Sequence, residues 1–303
     1  MKRLFAGALV VLVVAGVLLL SRTTPAGGTA AVHDFQAKQE TVNPWNHLKF
    51  NNASSTFRFA VVSDRTGGVR DGVFEHAVDQ LNMLQPEFVL CVGDLITGGT
   101  AKLEQIDKEW KEFIGFIDKL QMPFFYLPGN HDISNPVMDK RWKEQFGRSY
   151  YHFVYKNTLF LMLNTEDPPT KKSSGKISSP QVAYAKQALA ANKDVRWTVV
   201  LLHKPVWTYK DVEQTGWLEI EQALQGRKYT VLAGHKHNYE LTVRLGMKYI
   251  MLGTTGGGSL LRGAPFGEFD HITWVTMKNG GPVLCNLAME GILPEDLRVA
   301  KKE

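Results

Sequence analysis

Cysteine is nearly missing from this chain: Cys91 and Cys285 are the two present in 303 residues. Two thiols build no disulfide framework and no thiolate zinc site. Both sit in apolar, strand-like runs, where a free thiol packs as a small hydrophobe. Excess charge is scarce as well. The formal net charge is +5, but Lys2, Arg3 and Arg22 supply three of those charges and residues 1–30 hold no acid, so the remainder is near +2. With no basic stripe, no nucleic-acid partner is expected. No internal repeat is present. A charged fraction of 21% does not point to disorder, and a hydrophobic fraction of 44% is ordinary for a globular protein.

The N-terminus stands apart. Lys2 and Arg3 precede an unbroken apolar run over 4–20, and small residues follow. Gly28-Thr29-Ala30 or Thr29-Ala30-Ala31 would serve as a cleavage site, so residues 1–30 have the layout of a secretory signal. The run is long for a signal and slightly short of the roughly 20 apolar residues of an ideal spanning helix, so a cleaved signal peptide and an N-terminal membrane anchor both stand. Either way the basic end favours the cytoplasmic side, and the rest is expected to be exported, periplasmic or extracellular. Uncleaved, residues 4–20 would be a membrane tether. No cysteine follows the run, which excludes a bacterial lipid-attachment site. Residues 31–55 are polar and aperiodic, a linker.

From residue 57 onward apolar runs alternate with amphipathic stretches. Strands are expected at 57–63, 88–92, 124–127, 150–156, 158–164, 197–202 and 229–233, the continuous apolar ones buried on both faces. Helices are expected at 73–84, 103–120, 137–146, 180–192 and 216–224. Leu103, Ile106, Trp110, Phe113, Ile114, Ile117 and Leu120 fall at helical spacing. Ser179 reads as a capping hydroxyl, with Pro180 at the first helical position. Residues 165–179 read as a mobile loop, and 239–292 as β-hairpins with Asn279-Gly280 at a tight turn. The pattern predicts an α/β (α+β) fold: two mixed sheets packed together, helices outside, in one domain over 56–295 before a charged tail at 296–303.

Five segments place metal-binding side chains where a strand ends: 61–66, 91–94, 127–132, 201–205 and 233–237. Ligands at strand ends converge on one edge of a sheet, where α/β folds commonly put their sites. Together the segments offer carboxylate, amide oxygen and imidazole. That mixture suits Mn, Fe, Zn or Co, not an all-oxygen calcium cage. Each segment alone is a common strand-to-turn feature; five in this order carry the signal.

These segments, above all Gly93-Asp94, Gly129-Asn130-His131-Asp132 and Gly234-His235-Lys236-His237, resemble those of the calcineurin-like metallophosphoesterase family, which includes the purple acid phosphatases. The resemblance covers about residues 57–292. It implies a four-layer αββα sandwich with a dinuclear metal site between loops at the sheet ends. It also implies hydrolysis of small-molecule phosphate mono- or diesters by a metal-bound hydroxide. Carried over residue by residue, it makes Asp94 the bridge between two metal ions. Asn130, His203 and His235 complete one metal; Asp64 and His237 hold the other. His131 would stand near the leaving group, to protonate it or neutralise its charge, with Asp132 orienting its ring. A bridging carboxylate holds two cations roughly 3.5–4 Å apart, close enough to clamp attacking and leaving oxygens.

The sequence departs from the family pattern in two places. The family usually has Asp-x-His in the first segment; here it is Asp64-Arg65-Thr66, one imidazole short. The purple acid phosphatases supply a Tyr three residues after the bridging Asp; here Thr97 stands there, so no iron–tyrosinate colour is expected. The Thr66 hydroxyl, water or another residue would fill the gap. Arg65, whose planar fork matches phosphate oxygens, is a substrate-binding candidate, against simple pairing with an acid. The run Thr254-Thr255-Gly256-Gly257-Gly258-Ser259 either offers backbone N–H groups to a phosphate or is a tight connection. His271, Trp207 and Tyr209 read as supports of the site or as packing. His33, His47, His76 and His152 have no motif context. The competing function is a non-catalytic exported domain that binds metal or ligand, which the missing imidazole would permit.

Overall fold

The computed structural model describes residues 53–170, 175–289, 291–294 and 296–300. The expected signal or anchor, most of the linker and the last three residues of the charged tail lie outside the described residues. Contacts divide the chain after Ala53, and Ser54–Glu303 forms one unit. Among the described residues no helix is long and apolar enough to cross a membrane.

In chain order the elements are β1 (Phe57–Val62), α1 (Val73–Leu84), β2 (Val89–Cys91), α2 (Leu103–Ile117), β3 (Phe124–Phe125), α3 (Pro136–Phe146), β4 (Tyr151–Tyr155) and β5 (Thr158–Leu163). There follow α4 (Ser179–Ala191), β6 (Trp197–Leu202), α5 (Trp217–Ala223), β7 (Tyr229–Ala233), β8 (Glu240–Arg244), β9 (Met247–Met251), β10 (His271–Lys278), β11 (Gly281–Ala288) and β12 (Gly291–Pro294). One six-stranded sheet has the order β12-β11-β10-β1-β2-β3, the other β4-β5-β6-β7-β9-β8. Both are mixed, as the alternation predicted. β1, β2 and β3 are parallel to one another, as are β5, β6, β7 and β9. Parallel neighbours end on the same edge, so the chain leaves these strands side by side.

The continuous apolar runs serve two cores at once. Along β5, Phe160 and Met162 join the core between the sheets, while Leu159, Leu161 and Leu163 join the core under α4 and α5. On β6, Val199 and Leu201 face the first core and Val200 and Leu202 the second. A strand covered on both faces has no place for polar alternation, and each large apolar side chain gains roughly 1.5–3 kcal/mol on burial. α2 buries Ile106, Trp110, Phe113 and Ile117 of the expected stripe, but it ends at Ile117 and not at 120, and Leu103 at its start is exposed.

Three local expectations are corrected. α4 is capped by Ser178, one residue earlier than expected, and Pro180 is its second residue. β3 is two residues long, pairing only Phe124 and Phe125 with Val89 and Leu90. The flanks of the expected mobile loop are held: Lys176 N–H donates to Thr165 O at 2.8 Å and Ile177 N–H to Thr215 O at 2.8 Å. The β10–β11 hairpin closes across Lys278 and Gly281, with Asn279-Gly280 at its turn.

Candidate metal centre

Five strand tips meet at one edge. β1 delivers Asp64, β2 Asp94, the chain beyond β3 Asn130 and His131, β6 His203, and β7 His235 and His237. Contacts between tips of different sheets close the cluster. His235 N–H donates to the Asp64 carboxylate at 2.9 Å, and His203 Nε2 lies 3.2 Å from Asp94 Oδ2. The glycines before Asn130 and His235 let the tips approach. A Cβ on Gly129 would lie 2.2 Å from Asp94 Oδ1, and one on Gly234 would lie 2.2 Å from Asp64 Oδ2.

Two sets of ligand atoms gather within 4.8 Å of one another: Asp94, His203 and His235, and Asp64, Asp94 and His237. They share Asp94. Asn130 Oδ1, 3.0 Å from His203 Nε2, adds an amide oxygen to the first set. This carboxylate, amide and imidazole mixture fits two borderline cations.

Ring tautomers support the same reading. His203 Nδ1 lies 2.8 Å from the Val92 carbonyl and His237 Nδ1 lies 2.6 Å from the Gly258 carbonyl. A carbonyl can only accept, so each Nδ1 carries the hydrogen and each Nε2 faces the cluster. Fixing one ring nitrogen on a backbone oxygen to aim the other is how metal-binding histidines are oriented. His131 follows the pattern, with Nδ1 2.6 Å from Thr97 O.

Burial and close opposite charges set the electrostatics of the cluster. Burial would raise Asp94, but the His203 and His131 rings outweigh it and hold the carboxyl well below the usual range. Burial would lower His203, yet the Asp94 and Asp64 carboxylates lift it to about 9. Burial, then the His203 and Lys204 charges, push His235 down to about 2, leaving a neutral ring with a lone pair. Asp94, His235 and His237 also adopt φ of 58°, 72° and 51°. Such left-handed backbone costs about 1–3 kcal/mol per residue and clusters at functional sites.

The structure corrects several expected roles. Asp132 does not orient the His131 ring; Thr97 O does. The fully buried Asp132 carboxylate accepts from the N–H groups of Asp94, Leu95, Ile96 and Gly129 at 2.8–3.1 Å, and so fixes the loop that carries Asp94. Arg65 does not face the centre. Its guanidinium pairs with Glu112 on α2, donates to Leu95 O at 3.2 Å and lies 5.1 Å over the Phe116 ring. Thr66 is fully buried, its hydroxyl 3.4 Å from that of Thr97. The 254–259 run braces the site instead of cradling a phosphate. The N–H groups of Thr255 and Gly257 both donate to Asp64 O at 3.0 Å, and Gly256 N–H donates to Asp270 at 3.1 Å.

His271 supports that brace from beneath, accepting from Gly253 N–H at 2.9 Å. Trp207 is core, Tyr209 packs on Gly175, His152 meets the Tyr184 hydroxyl at 2.7 Å and His76 is exposed. His33 and His47 lie outside the described residues. Sequence reasoning missed Ser63, whose hydroxyl donates to Asp64 Oδ2 at 2.6 Å, and the carbonyls of Val92, Thr97 and Gly258. A serine beside a strand-end aspartate was a visible signal; backbone carbonyls leave none.

Comparison with known proteins agrees with this geometry. The family model for calcineurin-like phosphoesterases matches residues 57–239. A probable glycerophosphodiester phosphodiesterase of Arcobacter nitrofigilis is 28% identical over 177 residues, covering 52% of this chain and 59% of the relative. The chain thus spans little more than half the length of that curated relative. Among solved structures, a dimetal phosphatase from Danio rerio superposes with a TM-score of 0.60 at 14% identity, covering 78% of this chain and 98% of its own. GAP50, the anchor in the inner membrane complex of Plasmodium, superposes at 0.56 with 15% identity, covering 82% and 98%. These two likenesses establish the fold, which is that of two mixed sheets flanked by helices.

Proposed function

Because the chain belongs to the calcineurin-like phosphoesterase family, we propose that it hydrolyses phosphate esters at a pair of metal ions held by Asp64, Asp94, Asn130, His203, His235 and His237. The observation that carries this reading is the sharing of Asp94 between two ligand sets. Mn, Fe, Zn or Co suit the donors.

When bound, such a pair supplies a water of lowered pKa and positive charge for the phosphoryl oxygens. The chain's own residues do the rest. Asp94 and Asp64 fix the spacing of the two sites, and His203 and His237 present Nε2 because Val92 O and Gly258 O hold their Nδ1–H. His131 is half-exposed. Its Nε2 would lie 3.9 Å from a Cβ on Gly67, and the same Cβ would meet the His237 ring. With Nδ1–H on Thr97 O, a protonated Nε2 is the group able to give its proton to the departing alcohol oxygen. Asp132 acts at one remove, holding the Asp94 loop.

Both phosphate monoesters and diesters fit this chemistry. The Arcobacter relative bears a diesterase name, so a small diester is the first substrate to try. The basic start and apolar run of residues 1–30 support a reaction outside the cytoplasm. A second reading, metal or ligand binding without turnover, draws on Thr66 standing where an imidazole is usual, and on the fold being shared with an anchor protein. Elemental analysis with assays on p-nitrophenyl phosphate and bis-p-nitrophenyl phosphate after Mn loading separates the two. Near two metals per chain with turnover supports the enzyme; inert protein, metal-loaded, sinks it.

A further inference from the structure

One loop at the metal centre takes no part in the chemistry above. Residues 259–266 leave the centre at Gly258, whose carbonyl lies 2.6 Å from His237 Nδ1. They return at Phe266, whose carbonyl accepts from Asn238 Nδ2 at 2.6 Å, and Gly267 O then accepts from Tyr239 N–H at 2.7 Å. Both ends are therefore tied to the segment 237–239, which carries a metal ligand.

The loop between those ties is firmly built. Gly263 pairs with Glu268, and Phe266 N–H donates to Gly263 O at 3.0 Å. Arg262 pairs with Glu268 and lies 4.6 Å over the Phe266 ring. On this frame three large apolar side chains stand in water: Leu260 is 75% exposed, Leu261 48% and Phe266 48%. Leu261 also has φ 52°, backbone that glycine adopts without strain and leucine does not. A mere connection is better served by glycine or asparagine there, with polar neighbours. Exposed apolar clusters rimmed by polar groups mark binding surfaces.

Position says what is bound. Leu260 lies two residues from Gly258, within roughly 7 Å along the chain. Gly258 O meets the back of the His237 ring, so Leu260 stands beyond that ring from the cluster, where a long alcohol chain reaches and a methyl group does not. Lys236, exposed between His235 and His237 in the chain, adds a cation next to two of the proposed ligands. A centre loaded with its proposed metal ions and an apolar wall together would complement an amphiphilic anion.

We propose that Leu260, Leu261 and Phe266 form a wall for the non-phosphate part of the substrate, and that the substrate is a phosphate ester of an apolar alcohol. The proposal rests on the phosphoesterase reading of the metal centre. The test uses the Mn-loaded full chain with methyl, butyl and octyl phosphates and the matching alkyl p-nitrophenyl phosphates, all as monomers. The octyl-to-methyl ratio of kcat/KM is expected to reach at least about tenfold, since each buried methylene favours binding. In the L260S/L261S/F266S variant that ratio falls to within about twofold.

A flat series in the native chain, or a ratio that survives the triple substitution, overturns the wall. A gain seen only when octyl esters are presented in vesicles overturns it in favour of a membrane-docking loop. If no ester turns over, the phosphoesterase reading fails by itself. Calorimetric binding of octyl against methyl phosphate then still decides the wall, by the same ratio and the same variant.

Discussion

His203 Nε2 stands 3.2 Å from Asp94 Oδ2, while its Nδ1 rests 2.8 Å from the Val92 carbonyl. The imidazole is held from behind by the backbone just beyond β2 and faces the carboxylate that both ligand sets share. Asp94 is thus the hinge of the cluster, and Asp64 and His237 belong to one half of it.

That asymmetry predicts unequal losses of metal. Asp94→Ala should remove both ions, whereas Asp64→Ala or His237→Ala should leave about one per chain by elemental analysis. Turnover should fall by on the order of 10³-fold in Asp94→Ala, the scale for losing a principal charge-stabilising group. Retention of two ions by Asp94→Ala is incompatible with a shared carboxylate.

His131 is predicted to act on the leaving group without holding metal. His131→Ala should keep its metal content and lose about 10²–10⁴ in kcat on alkyl esters. The loss should shrink markedly on p-nitrophenyl esters, because nitrophenolate departs without a proton. Equal losses on both substrates, or loss of metal, would reassign the residue.

Much of the cluster was legible because its residues follow apolar runs, several of them ending in glycine. Val89–Cys91, Trp197–Leu202 and Tyr229–Ala233 are buried on both faces, so hydropathy alone located their tips. Roles set by distant partners were not legible. Arg65 could be aimed at phosphate until Glu112, 47 positions away on α2, took its guanidinium. The resemblance gave Asp132 the task of orienting the His131 ring, yet it serves four backbone N–H groups that only the folded loop brings together. The Ser178 cap differs from expectation by one residue because Ser178 and Ser179 are chemically identical as caps, and only the backbone chooses between them.

Arg65 is accordingly predicted to matter for stability and not for substrate. Arg65→Ala removes the ion pair, the Leu95 contact and the stacking on Phe116. The Glu112 side chain is 52% exposed, so its carboxylate returns to water and the cost is about 1–2 kcal/mol, mostly lost packing and one hydrogen bond. Thermal denaturation should show it, with KM for small esters within about twofold of native. A large rise in KM at unchanged melting temperature would restore Arg65 to the phosphate.

His271 gives a pH dependence separate from the metal ligands. Its ring is fully buried; burial is the main cause holding it at about 4, against an ordinary 6.5, with the Asn286 and Asp270 interactions opposing. Nε2 accepts from Gly253 N–H at 2.9 Å, and Nδ1 lies 3.0 Å from Asn286 Oδ1. Protonating Nε2 would set donor against donor beneath the 254–259 brace. Because the folded value lies below the unfolded one, the unfolded chain takes up a proton between pH 6.5 and 4 that the folded chain refuses. The stability this contributes is complete above pH 6.5 and is lost as pH falls to 4, about 3 kcal/mol over the window. His271→Gln lacks that titration but keeps an acceptor and a donor. Urea unfolding of metal-free protein should therefore show native and variant stabilities converging by about 3 kcal/mol from pH 7 to pH 4. Other histidines titrate equally in both proteins and cancel in the difference. A gap that stays constant across that range would mean the ring is not held neutral by its burial.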